Sequence, residues 1–309
     1  MFQTINNKIL GIIFGVLLLA GLFLFFFDGG KNERTFREVL VDIDTSKVSE
    51  ILIYPKSQNH KEVKLYKEKE GWRVTLPSGR SAKVLNDRIS NLFTQLIAIK
   101  PKRLAARDES KWNELQVDST GSRVKVFEGS KQTLDLVIGR FSFQQPRTMN
   151  TFVRLYNDKD VYEVDGFLDM MFNQGANTFR DGTIIKSDHK NWQQLQFVYP
   201  ADSSFQLVSS NNGWLLNGMP TDSTKTFNFL TRLANLSNSN FIDDVKIEPT
   251  ASPAFSLNIT TKDLQFIEIK GFKDSTSFLI HSSQNPEAWF DGNSLSSIIF
   301  TGKSSFFAK

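Results

Sequence analysis

The sequence contains no cysteine, which removes several kinds of chemistry at once. Without thiols the chain can form no disulfide, no thiolate metal site, no cysteine nucleophile and no lipid linkage through an N-terminal cysteine. Histidine is also scarce, because His60, His189 and His281 are the only three and lie far apart. No HxxxH, HExxH or HxH spacing occurs, so neither a histidine-based metal site nor a cofactor is predicted.

Motifs for common enzyme chemistry are missing as well. No GxSxG, GxxxxGK[ST] or GxGxxG pattern occurs, so the chain is not expected to hydrolyse nucleotides or to bind a dinucleotide itself. Asp243 and Asp244 could form an acid–base pair, although a solvated turn is the simpler interpretation. Asp42 and Asp44 lack the glycine and the distal glutamate of a calcium loop. No catalytic residue is predicted, and the protein is not expected to be an enzyme.

A strong excess of one charge is lacking too. The chain has 37 Lys and Arg against 33 Asp and Glu, a net charge of +4, and both signs are mixed along it. This balance does not favour a nucleic-acid partner. The strongest basic stretch comprises Lys100, Lys102, Arg103, Arg107 and Lys111. It could contact lipid headgroups or an acidic partner, or it could be a solvated face.

The longest apolar run, Ile9–Phe27, holds no charged or strongly polar residue. As a helix it would be about 30 Å long, which matches the hydrocarbon core of a bilayer. It ends without a small-x-small cleavage site, so a retained transmembrane anchor over residues 1–27 is predicted rather than a cleaved signal. Gly11 and Gly15 form a GxxxG step, which predicts close packing on another membrane helix.

The charges that flank the anchor leave its orientation open. Lys8 precedes the apolar run, whereas Lys31, Arg34 and Arg37 follow it. The positive-inside rule, taken literally, places the C-terminal body in the cytoplasm. Long domains, however, cross membranes largely regardless of such local charges.

Behind the anchor, the charged and glycine-bearing residues 28–47 predict a stalk. Alternating apolar residues then predict strands, and a spacing of three and four around Leu92 and Leu96 predicts an amphipathic helix. A short helix is predicted around residues 110–115, and another is capped by Asp165 and runs through Phe172. The predicted strands are Val48–Tyr54, Val63–Tyr66, Trp72–Leu76, Arg123–Phe127, Thr133–Ile138, Phe152–Leu155 and Val161–Val164.

The same landmarks then recur in the same order, about 130 to 145 residues further on. Six features match, which indicates an internal duplication. We therefore predict a first repeat over residues 48–172, a connector over 173–192 and a second repeat over 193–309. Consecutive strands with few helices favour the α+β class, with mainly antiparallel sheets and packed helices. The matching features are 51–55 with 195–200, 71–72 with 213–214, 76–81 with 219–224, the helix of Leu92 and Leu96 with that of Phe227, Leu230 and Leu233, the later strand runs, and 162–172 with 289–300.

Two further features have both a structural and a functional interpretation. Trp72 and Trp214 each follow a glycine and could be platforms for glycans, or they could fill the cores of the two repeats. The tripeptide AspSerThr occurs three times and resembles the O-glycosylation motif of exported Bacteroidetes proteins. That resemblance implies modification at Ser119, Ser223 and Ser275 and a periplasmic body, whereas the alternative is three polar turns.

Several segments between Gly71 and Phe172 resemble a known family. They include LysTrpAsnGluLeuGlnVal (111–117), ValLysValPheGluGly (124–129) and AspLeuValIleGlyArg (135–140). They are similar to an uncharacterised tandem-repeat domain that is encoded beside, or fused to, gliding-type ABC transporter auxiliary subunits of Bacteroidetes. The resemblance implies a periplasmic body on a single-pass inner-membrane anchor. Its implied partners are membrane lipid, transporter transmembrane and auxiliary subunits, and a separate ATPase subunit.

Three functions follow as hypotheses. The first is a non-catalytic accessory or scaffold subunit of an ABC transporter complex in the cell envelope, linked to gliding motility or protein secretion. The second is a binding module for peptidoglycan or another envelope glycan, with Trp72 and Trp214 as platforms. The third is a hydrolase with an unrecognised carboxylate pair, for which the sequence gives no positive sign.

Overall fold

Two antiparallel sheets make up most of the fold. The computed structural model describes residues 14–18, 37–144, 148–245, 251–273 and 277–308. Residues 1–40 group into one unit and residues 41–309 into another. The predicted α+β class is confirmed at the level of mainly antiparallel sheet with a few helices.

The predicted anchor falls mostly outside the described residues. Residues 14–18 are helical, whereas Gly11, the rest of residues 1–27 and stalk residues 28–36 are not described. Within the described ranges, no helix is both long and apolar enough to cross a bilayer. The transmembrane anchor therefore stays a prediction.

The first sheet has nine antiparallel strands in the order β4-β3-β2-β1-β6-β7-β8-β9-β5. Two meanders, β1 to β4 and β6 to β9, join at their first strands, and a helix connects them. The strands are β1 (Val48–Tyr54), β2 (Val63–Glu68), β3 (Gly71–Thr75), β4 (Ser81–Lys83), β5 (Pro101–Ala106), β6 (Ser122–Glu128), β7 (Lys131–Gln144), β8 (Thr148–Leu155) and β9 (Val161–Asp165). The helices are α1 (Asn86–Ile97), α2 (Trp112–Leu115) and α3 (Asp169–Phe172).

The second large sheet has eight strands in the order β14-β13-β12-β11-β16-β17-β18-β19. A separate two-stranded sheet pairs β10 (Thr183–Lys186) with β15 (Asn235–Ser237). The eight strands are β11 (Trp192–Val198), β12 (Phe205–Ser210), β13 (Gly213–Leu216), β14 (Met219–Pro220), β16 (Phe255–Thr261), β17 (Phe266–Lys273), β18 (Phe278–Ser282) and β19 (Asn285–Asp291). The helices are α4 (Ser223–Ala234) and α5 (Ser296–Ile299), and short 3₁₀ turns lie at Lys56–Gln58, Glu109–Lys111, Ala176–Thr178, His189–Asn191 and Lys303–Phe306.

The two large sheets share the order of eight strands, a helix crossover and one register shift, and the first sheet has β5 as an additional edge strand. A register shift at the second residue of the strand interrupts both the β1–β6 and the β11–β16 pairing. Gly71 and Gly213 each follow a two-residue loop with φ of +127° and +120°, a region that glycine adopts readily. This shared geometry is what the predicted duplication requires, whereas the predicted bounds of the repeats stay a prediction.

One face of each large sheet is buried beneath its long helix. The alternating residues Ile51 and Ile53 of β1 are fully buried, as are Leu195 and Phe197 of β11. Apolar side chains at a spacing of three and four share one face of a helix, which explains how each helix covers its sheet. The buried apolar residues of the two helices are Ile89, Leu92 and Leu96 in α1, and Phe229, Leu230, Leu233 and Ala234 in α4.

Some local predictions are wrong. Asp165 does not cap a helix, because it is the last residue of β9 and Leu168 occupies the N-cap of α3. Phe227, by which this helix is matched to the first one, is 57% exposed, whereas Phe229 and Leu233 are buried. The sequence does not predict the short strands β4, β5, β10, β14 and β15, since a strand of two to six residues carries too little periodicity.

Charged and polar side chains join the two large sheets along the edges formed by β4 and β19. Arg180 is buried, and its Nη2 and Nη1 lie 2.9 and 3.1 Å from the Oδ1 and Oδ2 of Asp243. Its guanidinium lies 3.8 Å from the ring centroid of Phe241. Arg73 Nη2 donates to Glu287 Oε2 at 2.8 Å, and this hydrogen bond raises the pKa of Arg73.

The connector is bonded to both sheets. The Asp181 amide donates to the Lys83 carbonyl oxygen at 2.8 Å, beside β4. Asn285 Nδ2, in β19, donates to the Asp181 carbonyl oxygen at 2.7 Å. Asp181 thus lies between the two edges, and its backbone satisfies a partner on each side.

We expect Asp243→Asn to lower the free energy of unfolding by about 2 kcal/mol, because it leaves the buried Arg180 guanidinium without a compensating charge. Chemical denaturation of the purified chain measures the effect. Asp244→Asn is the matched control, since the neighbouring carboxylate is exposed and makes no ion pair among the described residues. Equal stability of the two variants would contradict a structural role for the Arg180–Asp243 pair.

Candidate functional site

An open groove of about 830 Å³ lies beside Trp214, between β13, α4 and the His189–Asn191 turn. We call it the Trp214 groove and define it by His189, Lys190, Trp214, Thr221, Ser223 and Phe227. Its volume lies within the range of about 300 to 1,000 Å³ that is typical of small-ligand sites.

Local backbone structure fixes the walls of the Trp214 groove. Trp214 is half-buried in β13, and its carbonyl oxygen accepts a hydrogen bond from the Thr221 amide at 3.0 Å. An Asp222 carboxylate oxygen accepts from the Lys225 amide at 2.9 Å and caps α4. The first two turns of α4 then present Ser223, Thr224 and Phe227 to the groove.

Three aromatic rings form one corner of the groove. The His189 ring lies 5.6 Å from that of Phe227 and 6.4 Å from that of Trp192, each at 76°. Trp192 is fully buried, and its Nε1 donates to Ser187 Oγ at 2.9 Å. Phe227 is exposed, so this part of the groove combines a buried aromatic ring, Trp192, with an exposed apolar side chain.

The polar part of the groove is almost uncharged. Lys190 is the only charged side chain among the described residues that line it, and no carboxylate does. Thr226 Oγ1 donates to Thr221 Oγ1 at 2.9 Å, which donates to the Trp214 carbonyl oxygen at 3.0 Å. The side chains without a hydrogen-bond partner among the described residues include Ser209, Asn212, Ser223 and Thr224.

The equivalent place in the nine-stranded sheet has only a smaller cavity of about 260 Å³, whose lining includes Gly71 and Trp72. Trp72 has the same position after its glycine, and its carbonyl oxygen accepts from the Val84 amide at 2.9 Å, as Trp214 does from Thr221. Trp72 is only 7% exposed, and Phe93 of α1 contacts it edge-on at 5.9 Å. Trp72 therefore belongs mainly to a core and offers little surface for stacking, whereas Trp214 is half-buried beside the larger groove.

A second candidate surface lies at the tip of the β7–β8 hairpin. We call it the hairpin patch and define it by Phe141, Phe143, Met149, Phe167 and Met170. Phe143 is directly opposite Met149 in the ladder, and Phe141 contacts Phe167 edge-on at 4.8 Å. Phe143 is 57% exposed and Met170 is 68% exposed, which is unusual for side chains of this size.

The hairpin patch extends beyond the part of the fold that both sheets share. The β6–β7 pairing ends at Ile138, so residues 141–144 of β7 pair with β8 alone. Residues 41–44 lie at the opposite end of β7, where the Asp44 amide donates to Glu128 Oε1 at 2.9 Å. A strand of 14 residues is about 45 Å long, so the patch is remote from the start of this unit.

The predicted basic stretch comprises residues of β5 and of the turn that comes after it. Lys102 Nζ lies 2.9 Å from Asp165 Oδ1, and Arg103 pairs with the buried Glu163. Lys111 Nζ also forms an ion pair, with Glu114 Oε2 at 2.8 Å. All residues of the stretch are exposed, and the two that make no ion pair among the described residues are Lys100 and Arg107. A contact role for the stretch stays a prediction.

The aspartates of two AspSerThr tripeptides have structural partners. Asp118 Oδ1 accepts from the Thr120 amide at 3.0 Å and from its hydroxyl at 2.6 Å, and Asp222 caps α4. Ser119 and Ser223 are exposed, and Ser223 borders the Trp214 groove. Ser275 lies outside the described residues. Glycosylation at these serines stays a prediction.

The other candidate residues do not converge. His60 Nε2 lies 3.0 Å from the Gly121 carbonyl oxygen, and His281 lies against Trp289 at 4.6 Å. No group of three or more His, Asp and Glu side chains that could hold a metal is found among the described residues. Sequence reasoning missed His189 and Phe227 as site residues, because nothing local distinguishes a groove aromatic from a core aromatic.

The comparisons with known proteins give one match. The model of a family described as a domain of unknown function, DUF4340, matches residues 72–258. The matched range begins at Trp72 in β3 and ends within β16, so it includes parts of both large sheets and both long helices. No curated protein and no solved structure matches the chain.

We expect Trp214 to be more accessible to quenchers in solution than Trp72. Acrylamide quenching of tryptophan fluorescence should fall clearly in Trp214→Phe, because this substitution removes a ring that borders open space. The same substitution at Trp72 should leave the quenchable fraction nearly unchanged, since that ring is buried beneath Phe93. Equal losses in the two variants would contradict the difference between the two sites.

Proposed function

The chain belongs to the DUF4340 family of domains of unknown function, and we propose that it is a non-catalytic accessory subunit of an ABC transporter complex in the cell envelope. In this proposal a membrane anchor holds a rigid body that binds a partner protein. The observation that carries it is the hairpin patch, because exposed clusters of large apolar side chains are typical of protein interfaces.

The chemistry of the hairpin patch supports a protein partner. Phe141, Phe143 and Met149 share one face of a two-stranded extension, and Phe167 supports them from the side. Covering a side chain of this size contributes about 1.5 to 3 kcal/mol when it is fully buried. Methionine and aromatic side chains are also enriched at the centres of protein interfaces.

The resemblance noted in the sequence supplies the identity of the proposed partner. An auxiliary subunit of a gliding-type transporter would bind the hairpin patch, and its pathway would be gliding motility or protein secretion. The ATPase would be a separate polypeptide, since the sequence carries no phosphate-binding loop of the GxxxxGK[ST] type.

The apolar run Ile9–Phe27 supports the membrane part of the proposal. It would anchor the chain in the inner membrane and contact transporter transmembrane helices, with the body in the periplasm. Gly15 lies in the helical residues 14–18, and a methyl group added at its Cα would meet no described atom within 4 Å. A helix-packing surface requires such open space beside a small residue.

We expect Phe143→Asp to reduce recovery of transporter subunits about tenfold or more in affinity purification from mild detergent, because a charge cannot be buried in an apolar interface without a partner. Mass spectrometry of the eluate measures the recovery. Phe266→Asp is the matched control, since Phe266 is 59% exposed on β17 of the other sheet. An eluate of the unaltered chain without transporter subunits would sink the proposal, and so would equal recovery with both variants.

We expect Gly15→Leu to weaken the association of the anchor with its partner helices, because a large side chain separates backbones that pack closely at a GxxxG step. Recovery of the same subunits from membranes measures this effect. Val16→Leu adds bulk at the neighbouring position and is the control. Recovery that is unchanged by Gly15→Leu would remove the helix-packing part of the proposal and leave the hairpin patch untouched.

A further inference from the structure

The Trp214 groove has the properties of a saccharide site, and we propose that it binds an oligosaccharide that is neutral or carries a carboxylate. The groove and the hairpin patch lie on different sheets and share no residue. Glycan binding is therefore a function beyond the proposed partner docking, and each can fail without the other.

The aromatic side chains supply the stacking surface. A pyranose ring has one face of C–H groups, which packs on the electron-rich face of an indole ring. Trp214 is half-buried, so its ring is held in place and still borders the groove. Phe227 and the His189 ring stand at 76° to each other, which gives the groove a second apolar wall.

The polar side chains of the groove can form hydrogen bonds with the hydroxyl groups of a sugar. Ser209, Asn212, Ser223 and Thr224 offer hydroxyl and amide groups without partners among the described residues. Such groups both donate and accept, as sugar hydroxyls do. Lys190 is the only charge on the described lining, so a cationic ligand finds no counter-ion, whereas a carboxylate on a sugar does.

The other copy of the fold shows that an open groove is not needed for stability. The fourth and eighth residues of α1, Ile89 and Phe93, correspond by position to Thr226 and Leu230 of α4. Phe93 contacts Trp72 edge-on, and the cavity beside Trp72 is only about 260 Å³. The smaller Leu230 instead lines the groove of about 830 Å³ beside Trp214. The fold therefore tolerates a larger side chain at this position, and the second copy has a cavity in its place.

A peptide is the competing occupant, and the edge of the sheet argues against it. Extended peptides commonly bind by adding a strand to a free edge. The edge strand beside the groove, Met219–Pro220, has only two residues, and the proline lacks an N–H group. Side chains rather than backbone groups must therefore supply most of the recognition, which favours a saccharide.

Titration calorimetry of the full-length chain in detergent tests the proposal with two probes, the neutral tetramer of N-acetylglucosamine and the tetramer of galacturonic acid. We expect at least one probe to bind, and Trp214→Ala to weaken that binding at least about tenfold. Leu230→Phe should also abolish it, because it copies the Phe93–Trp72 contact of the first sheet and narrows the groove. Phe266→Ala, at an exposed aromatic residue outside the groove, should bind as the unaltered chain does.

Three outcomes would overturn the proposal. They are a lack of binding by the unaltered chain to both probes, binding that survives both Trp214→Ala and Leu230→Phe, and binding of a proline-rich peptide in place of both saccharides. Thermal unfolding of each variant separates loss of the groove from loss of the fold, and Leu230→Phe keeps the test valid if Trp214→Ala proves unstable. If a groove variant loses glycan binding and still recovers transporter subunits, glycan binding and the proposed docking are separate functions.

Discussion

The buried ion pair between Arg180 and Asp243 is the constraint on which the arrangement of the two large sheets depends. A buried guanidinium must keep its compensating charge, since an unpaired one costs several kcal/mol. Arg180 lies in the predicted connector, and Asp243 must remain within ion-pair distance of it. Phe241 packs against the same guanidinium. The backbone of Asp181 bonds to Lys83 on one side and to Asn285 on the other. These contacts hold the edge strands β4 and β19 in a fixed relation.

The two large sheets agree in their central strands and differ at their periphery. Their strand order, the register shift in their central pairs and the glycine turns before Trp72 and Trp214 are the same. The differences lie at the periphery. The first sheet has a long hairpin with exposed apolar side chains, and the second has an open groove of about 830 Å³ where the first has a cavity of only about 260 Å³. Two sheets of the same strand order thus carry two different surfaces, to which we assign two different binding roles.

The buried elements could be predicted because their residues report burial locally. The predicted strand Val48–Tyr54 has the bounds of β1, and the amphipathic helix predicted around Leu92 and Leu96 is α1. The short edge strands could not be predicted. The sequence of β5 has the pattern of a basic run and not of a strand. The carboxylates that pair with Lys102 and Arg103 lie on β9, about sixty residues further along the chain. His189 and Phe227 were not predicted as site residues for the same reason, since a hydrophobicity pattern does not show which distant segment faces them.

The sequence by itself determined that thiol chemistry is excluded, that strands and two amphipathic helices recur in one order, and that an apolar run precedes them. These features depend on residue type and on spacing along a few turns or strand residues, so local physics decides them. Only the tertiary structure decided that Trp72 is covered and Trp214 open, that most of the basic stretch is neutralised, and that the hairpin patch stands free. Each of those outcomes depends on which side chain of a distant segment packs against the residue. The exposure of a residue is therefore set by its tertiary contacts and not by its own type alone.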